Sequence, residues 1–153
     1  MNGEMREILF RAKHIHALPQ NEHLDGTWVY GYLCDENYIN TVDEDEYGGK
    51  FTSEMLIDPE TVCQYTGLSD KNGRKIFERD IVKAEIKIND FSRDSVKNEI
   101  NTYEVSYHEK YCYFYLKRKS NNLLFDGNWS YYLKEIEVIG NIFDNPELIG
   151  GQP

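Results

Sequence analysis

Histidine and cysteine, the side chains that most often bind metal ions, are few in this chain and widely spaced. His14 and His16 stand two residues apart, so they would share one face of a strand. His23, Cys34 and Asp35 downstream complete the best available ligand set. This spacing matches no standard zinc signature. The pattern favours a polar, exposed strand end at the two histidines, and we expect neither a bound metal nor a cofactor.

Nucleophilic catalysis would need a cysteine or serine beside a base. Cys112 follows His108 by four residues across a predicted hairpin turn, which is the nearest approach to such a pair. A core cysteine and an exposed turn histidine explain the same residues without chemistry. The carboxylates lie in polar stretches, where burial cannot raise a pKa for acid–base work. Because phosphate-binding glycine motifs are also absent, we expect no enzyme.

Cysteine usage indicates the compartment. Cys34, Cys63 and Cys112 are an odd number at wide spacing, with no CxxC pair. Such a set predicts reduced, mostly buried thiols. Residues 1–13 lack the apolar stretch of a signal peptide, and no apolar run approaches the roughly 20 residues that span a bilayer. These features together favour a reducing cytoplasm.

The formal net charge of −10 is concentrated in the first part of the chain. Residues 1–60 hold 13 acidic and 4 basic side chains, whereas residues 61–153 hold 14 and 13. An acidic chain repels the phosphate backbone of nucleic acid. We therefore expect duplex binding no tighter than the non-specific range, about 10⁻⁴ to 10⁻⁶ M at physiological salt.

The densest acidic segment, residues 35–46, predicts a contact with a protein partner. We expect it to be an exposed loop between strands, with Tyr38, Ile39 and Val42 as apolar anchors. Clustered charge would speed the encounter with a basic partner. The alternative is a loop that only keeps the protein soluble. The candidate contact residues are Asp35, Glu36, Asp43, Glu44, Asp45 and Glu46.

The second part of the chain offers a different binding hypothesis. Tyr111, Tyr113 and Tyr115 precede a basic run and could stack nucleic-acid bases. The alternative is that the alternate tyrosines line the core and the lysines solvate its rim. The candidate nucleic-acid contacts are Lys117, Arg118, Lys119, Lys134, Lys71 and Arg74.

Alternation of apolar and polar residues predicts short strands separated by turns. Asn72-Gly73 predicts a type I′ hairpin turn. Gly31 and Gly140, inside strands, indicate bulges or close backbone contacts. Residues 89–99 look like a loop, residues 129–135 are open between helix and strand, and Asn145 could cap a helical turn at Pro146. The predicted strands are 6–13, 27–34, 54–57, 62–66, 75–77, 80–88, 103–108, 111–117 and 138–143.

The chain has the length of one domain and is 14% aromatic, which suits pleated, half-buried surfaces. We predict a mainly β fold in which strand exceeds helix at least about twofold. The expected architecture is a small SH3-like or related β-barrel of short antiparallel strands, with a β-rich N-terminal extension and few short helices. One domain would span 1–153, with an acidic part at 1–60 and the barrel core at 61–153.

Three blocks of sequence form a pattern in this order and spacing. They are REILFRA at 6–12, QYTGLSDKNGRKIFERDIV at 64–82 and VIGNIFDNPEL at 138–148. The pattern resembles the YopX-like family of phage and prophage proteins. The resemblance implies a phage or prophage origin, a bacterial cytoplasm and a β-barrel-like fold. It implies no reaction, because the family has no established activity or catalytic residues. The three blocks are also explained as turns and core strands.

Two positions depart from the family pattern. Lys13 stands where the family has tryptophan, and Arg79 stands where it usually has glycine. The second departure predicts a backbone conformation at Arg79 that a non-glycine residue can reach, or strain. Residues 14–61 match the family least. We expect a binding protein, with a protein partner ahead of nucleic acid and a homo-oligomer as a possibility.

Overall fold

The computed structural model describes residues 3–16, 18–90, 92–118, 124–125 and 129–150. The chain divides into two compact units, Met1–Tyr65 and Thr66–Pro153. The boundary lies close to the point in the sequence where the acidic excess ends. Among the described residues, no helix is long and apolar enough to cross a membrane.

The first unit is built on an antiparallel sheet with the strand order β4-β3-β2-β1-β5. Strands β2, β3 and β4 follow one another as a meander, and β1 lies between β2 and β5. Short 3₁₀ helices occupy Pro19–Leu24 and Pro59–Thr61. The strands are β1 Phe10–Lys13, β2 Trp28–Asp35, β3 Tyr38–Glu44, β4 Lys50–Leu56 and β5 Cys63–Ser69.

A small core in this unit gathers Ala12, Ile39 and Ile57, with Phe10 and Val29 packed against them. Four of these residues come from apolar positions of β1, β2 and β3, so one face of the sheet supplies most of the core, and Ile57 directly follows β4.

The close backbone contact predicted at Gly31 is present. A Cβ built on Gly31 would lie 2.1 Å from the backbone oxygen of Asn40 on the next strand. No side chain fits there.

The second unit begins with a hairpin between the end of β5 and β6, Lys75–Phe77. Asp70 closes its turn, because its backbone N–H donates to the Arg74 carbonyl at 2.8 Å. One carboxylate oxygen accepts from the N–H groups of Asn72 and Arg74, both at 2.9 Å. The other accepts from the Val138 N–H at 2.9 Å. A single buried side chain therefore ties this turn to the last strand of the unit.

The main sheet of the second unit has the order β10-β9-β8-β7-β11. The long hairpin β7–β8 forms its centre, paired from Ile81 with Glu104 to Asp90 with Ser95. Short 3₁₀ helices occupy Trp129–Glu135 and Pro146–Ile149. The strands are β7 Asp80–Asp90, β8 Ser95–His108, β9 Tyr113–Lys117, β10 Leu124–Phe125 and β11 Ile136–Asn141.

One face of this sheet forms the larger core. Val82, Val105, Leu116 and Ile136 are almost fully buried there. Trp129 closes the core and donates its indole N–H to the Phe114 carbonyl at 3.0 Å. Because these strands alternate, the neighbours of each core residue point to the opposite face, where the tyrosines of β9 lie.

The prediction of a mainly β chain of antiparallel strands is confirmed, since the described part of the chain forms eleven strands and only short 3₁₀ helices beside them. The predicted barrel is not confirmed. In the described part of the chain both sheets are open, and closing the second would require β10 to pair with β11, whereas each pairs with only one neighbour. The acidic N-terminal part is a sheet with its own core, not an extension of a barrel.

Two predicted loops are strands instead. Residues 38–44 form β3, and residues 95–99 belong to β8. Both segments are polar on one or both faces, so apolar alternation is too weak to reveal them. The turn at Asn72-Gly73 is at the predicted hairpin tip, but only Gly73 has a positive φ, so the type I′ assignment is wrong.

At the C-terminal end, the bulge predicted at Gly140 is confirmed, because the β11–β7 register shifts between Val138 and Gly140. The predicted cap is wrong. Asn145 precedes the helix but makes no side-chain cap bond, and its amide oxygen accepts from the Asn141 N–H at 3.3 Å.

Candidate functional site

The acidic segment of the first unit lies on two turns and the strand between them. Asp35 and Glu36 lie at the β2–β3 turn, while residues 43–46 lie at the β3–β4 turn. The six residues 37–42 separate the two groups, which corresponds to roughly 20 Å along the strand. The structure therefore brings four of the six candidates together and leaves Asp35 and Glu36 apart.

We call residues 42–51, the end of the β3–β4 hairpin, the acidic hairpin tip. It carries four exposed carboxylates: Asp43, Glu44, Asp45 and Glu46. Three large apolar side chains are exposed among them, with Tyr47 89%, Phe51 49% and Val42 47% accessible. Strand alternation places Val42 and Phe51 on opposite faces of the hairpin, and Tyr47 projects from the turn.

Two of the three predicted apolar anchors are wrong, because they are not exposed. Ile39 is fully buried in the core of the first unit, and Tyr38 is half-buried, so neither offers the surface predicted for it. Only Val42 remains as predicted. Tyr47 and Phe51 replace the others. The sequence predicts a loop here, and the strand pairing that brings Phe51 across from Asp43 depends on the sheet, so no local pattern indicates Tyr47 and Phe51.

Two of the four carboxylates of the acidic hairpin tip, those of Asp43 and Asp45, accept hydrogen bonds within the hairpin. Asp45 closes the turn by accepting from the N–H groups of Tyr47 at 2.9 Å and Gly49 at 2.7 Å. Asp43 accepts from the Thr41 hydroxyl at 3.1 Å. Asp35 has the same role as Asp45 at the other turn, where it accepts from the Asn37 N–H at 2.7 Å.

In the second unit, an aromatic face lies opposite the core of the main sheet. Register pairs His108 with Tyr113, Ser106 with Tyr115, and Glu104 with Lys117 across β8 and β9. Phe114 and Leu116, the intervening residues of β9, pack on the core. The interpretation in which the alternate tyrosines line the core is therefore wrong. We define the aromatic face as His108, Tyr111, Tyr113 and Tyr115.

The rings of the aromatic face form one contiguous cluster. Tyr111 and Tyr113 are nearly parallel at 6.3 Å between centroids, and Tyr115 stands edge-on to Tyr113 at 6.2 Å. His108 lies within 4.9 to 5.8 Å of all three. Tyr111 is 60% exposed, and the Lys110 ammonium lies 5.1 Å from its ring centroid. The cluster thus ends in an accessible ring with a cation beside it.

A cleft of about 250 Å³ adjoins the Tyr115 end of the aromatic face. It contains charges of both signs. Within the described part of the chain, Arg79 and Lys117 form no ion pair with a carboxylate. The lining residues are Glu78, Arg79, Glu104, Ser106, Tyr107, Glu109, Tyr115 and Lys117.

Arg79 enters this cleft from a constrained backbone. Its φ is +65°, in the left-handed region that a glycine reaches most easily. The sequence predicts either a conformation that a non-glycine residue can reach or strain, and the left-handed region is one that arginine reaches at an energetic cost. Two hydrogen bonds hold the conformation: the Arg79 N–H donates to the Val105 carbonyl at 2.8 Å, and the Ile142 N–H donates to the Arg79 carbonyl at 3.0 Å.

The predicted basic nucleic-acid contacts do not form one patch. Lys117 lies on the aromatic face, whereas Arg118 points the other way and contacts Glu99 at 3.4 Å. Lys71 is paired with Glu137 at 2.9 Å. Arg74 is exposed on the β5–β6 turn and Lys134 on the Trp129–Glu135 helix. Lys119 lies outside the described residues.

The candidate metal ligands are dispersed. Among the described residues, no three His, Cys, Asp or Glu side chains have a metal-binding arrangement. His14 is buried, contrary to the exposed strand end that we expected, and its Nδ1 lies 2.7 Å from the Leu56 carbonyl. His16 engages Asp25 instead, and hydrogen bonds from its backbone and ring lower the pKa of that carboxyl.

The cysteines are free thiols, but only Cys63 is buried, so the expectation of mostly buried cysteines is wrong. Cys112 is exposed in the β8–β9 turn at φ +54°. Its thiol donates a hydrogen bond to the Glu109 carbonyl at 3.5 Å and lies close to Tyr107, a residue of the face opposite to His108. The Cys112 side chain as a hydrogen-bonding neighbour, with partial burial and the nearby carboxylates of Glu78 and Glu109, raises the pKa of the Tyr107 hydroxyl. The geometry separates Cys112 from the base that nucleophilic catalysis would need.

Comparison with known proteins agrees with this fold. The family model described as YopX protein matches residues 12–150. A crystal structure of protein EF1440 from Enterococcus faecalis superposes with a TM-score of 0.52 at 21% identity, covering 95% of this chain and 99% of that one. At that identity the likeness shows the fold alone. No curated protein matches the chain. Because the family model spans nearly the whole sequence, the chain belongs to the YopX family.

Proposed function

We propose that this protein is a non-catalytic accessory protein of a phage or prophage, which binds a basic protein partner in the bacterial cytoplasm through the acidic hairpin tip. The observation that carries the proposal is the coincidence of exposed apolar and exposed acidic side chains on one short hairpin. Tyr47 is almost fully accessible among four carboxylates.

Charge and apolar area have separate roles at such a surface. The residues up to Tyr65 carry 13 acidic and 4 basic side chains, so a basic partner is attracted from a distance. Rim charges mainly set the association rate, whereas buried aromatic anchors set the lifetime of a complex. Glu44 and Glu46 therefore raise the association rate, whereas Tyr47 and Phe51 prolong the lifetime of the complex.

Three features support binding without catalysis. The candidate nucleophile Cys112 faces away from its candidate base. The histidines nearest the N-terminus engage Leu56 and Asp25. The carboxylates of the hairpin tip are exposed, so they lack the burial that acid–base catalysis by a carboxyl pair needs.

The test neutralises the hairpin tip without breaking its turn. The tip variant carries Asp43→Asn, Glu44→Gln and Glu46→Gln, and leaves Asp45 in place because its carboxylate closes the turn. The control carries Glu4→Gln, Glu22→Gln and Glu60→Gln, an equal charge change at exposed positions elsewhere in the same unit. Partners captured from infected host cells by the wild-type protein are then measured against each variant at low and high salt.

We expect the tip variant to associate several-fold more slowly at low salt, with a weaker salt dependence, while the control behaves like the wild type. Tyr47→Ala should instead accelerate dissociation. Equal association rates and salt dependence for the tip variant and the control would contradict the proposal and leave the hairpin as a solvated turn.

A further inference from the structure

The partner contact proposed at the acidic hairpin tip gives no role to the aromatic face of the second unit. It consists of four rings in mutual contact, and it is flanked by three cations: Lys110 at the Tyr111 end, and Arg79 and Lys117 at the cleft. Unlike the first unit, the residues from Thr66 onwards are almost balanced in charge, with 14 acidic and 13 basic side chains. A phosphate chain is therefore not repelled here by an acidic excess of the unit itself.

We propose that the aromatic face binds single-stranded nucleic acid, with bases stacked on Tyr111 and the neighbouring rings and phosphates beside Lys110, Lys117 and Arg79. Aromatic side chains on the outer face of an antiparallel sheet are a recurrent platform for unstacked bases. Every base has a π-face, so such a platform tolerates any sequence.

The geometry of the rings suits successive bases. Tyr111 and Tyr113 are inclined by only 16°, and they present nearly parallel planes along the hairpin. His108 supports the row from β8 by stacking on Tyr113 at 5.4 Å. The accessible ring is Tyr111, so the first base would stack there, and the chain would then run along β9 towards the cleft.

The charges at the cleft limit the affinity for nucleic acid and favour a single strand over a duplex. Arg79 and Lys117 offer donors for phosphate, while three carboxylates of the same cleft repel it. They are Glu78, Glu109 and Glu104, and Glu104 lies directly across from Lys117 in the β8–β9 register. The affinity is therefore modest. A duplex, whose bases are already stacked in pairs, gains nothing from the rings and keeps the repulsion.

The test measures fluorescence anisotropy with labelled eight-nucleotide oligo(dT), oligo(U) and an eight-base-pair DNA duplex. We expect both single strands to bind with a Kd of about 10⁻⁴ to 10⁻⁶ M and the duplex more weakly. Tighter binding of oligo(U) identifies RNA as the ligand, and tighter binding of oligo(dT) identifies DNA. Either order supports the proposal, whereas a duplex that binds as tightly as both strands overturns it.

Substitutions locate the contact. Tyr111→Ala should weaken binding about 5- to 100-fold, since one stacked base is lost. Tyr113→Phe, which keeps the ring, should bind as the wild type does. Lys117→Gln should reduce the slope of log affinity against log salt by about 0.7. Glu104→Gln should bind several-fold more tightly.

Tyr47→Ala is the matched control, because it removes an exposed tyrosine from the other unit. It should leave oligonucleotide binding unchanged, just as Tyr111→Ala should leave capture of the protein partner unchanged. The two proposals therefore fail separately. No binding of either single strand at millimolar protein, or identical affinities for Tyr111→Ala and the wild type, overturns this one.

Discussion

Asp70 is a buried carboxylate whose contacts join two parts of the second unit, the β5–β6 turn and β11. Its side chain is 7% exposed and accepts hydrogen bonds from the backbone N–H groups of Asn72, Arg74 and Val138. Burial alone would raise the pKa of Asp70, but these bonds and the Arg74 charge outweigh burial, so the pKa lies below its ordinary value. The ionised form is therefore the one that the fold stabilises.

Replacing this carboxylate should cost stability. Asp70→Asn keeps the shape but loses the charge and at least one acceptor, leaving a buried N–H unsatisfied. We expect the free energy of unfolding to fall by about 1–3 kcal/mol, measured by urea denaturation. Asp94→Asn, an equal charge change at an exposed position, is the control and should change stability by less than about 0.5 kcal/mol.

The lowered pKa of Asp70 also predicts a pH dependence. A carboxyl whose pKa is lower in the folded state stabilises the fold fully above its unfolded value of about 4. That contribution is lost as the pH falls through the folded pKa. The difference in unfolding free energy between the wild type and Asp70→Asn should therefore be constant from pH 5 to 7 and shrink below about pH 4. A difference that stays constant down to pH 2 would rule out Asp70 as the source.

Two substitutions at Arg79 separate the cost of its backbone conformation from the effect of losing its side chain. Its φ of +65° costs a non-glycine residue about 1–2 kcal/mol, which glycine avoids. Because glycine also loses more chain entropy on folding, Arg79→Gly should be more stable than Arg79→Ala by about 1 kcal/mol. Thermal unfolding of the two variants gives this difference. Equal stabilities would show that the left-handed conformation is not strained.

Some properties of single residues could be predicted from the sequence and others could not. The conformation of Arg79 followed from the comparison with glycine in the family pattern. The burial of His14 and the exposure of Cys34 did not, because a side chain's surroundings depend on strands distant in sequence. His14 lies beside Leu56, 42 residues away.

At the scale of elements, Gly31 shows how two strands constrain one residue. The backbone oxygen of Asn40 fills the space that a Cβ would need. Gly31→Ala should therefore lower the free energy of unfolding by about 1–3 kcal/mol, since backbone atoms cannot move aside as side chains do. Gly3→Ala, with nothing within 4 Å of the added Cβ, should have no effect. Equal unfolding midpoints for the two variants in chemical denaturation would contradict this.

Elements with strong local signals were predicted closely. Lys75–Phe77 has the bounds expected from the sequence, and Trp28–Asp35 is displaced by only one residue. β3 and the first part of β8 were missed because their polar faces hide the two-residue period. Their pairing with β4 and β7 is a property of the sheet, and no local pattern encodes it. The sequence consequently predicts the acidic residues of the hairpin tip but not the hairpin that they belong to.

For the whole molecule, the uneven charge predicts how stability responds to salt. Self-repulsion among the carboxylates of the first unit destabilises the folded state, and salt screens it. Thermal unfolding of the wild type should shift to higher temperature between 10 and about 150 mM salt. The tip variant should have a higher unfolding temperature at low salt, and its unfolding temperature should rise less as salt is added. Identical salt responses of the two proteins would show that self-repulsion does not lower stability.

The order of strands in the second sheet has a consequence during synthesis. β7 pairs on one side with its neighbour β8 and on the other with β11. The 27 residues from 109 to 135 separate the end of β8 from the start of β11. At synthesis rates of about 5–20 residues per second they take roughly one to five seconds to make. Throughout that interval the nascent chain exposes one unpaired edge of β7, a strand whose charged residues Lys83 and Glu85 disfavour pairing with another chain.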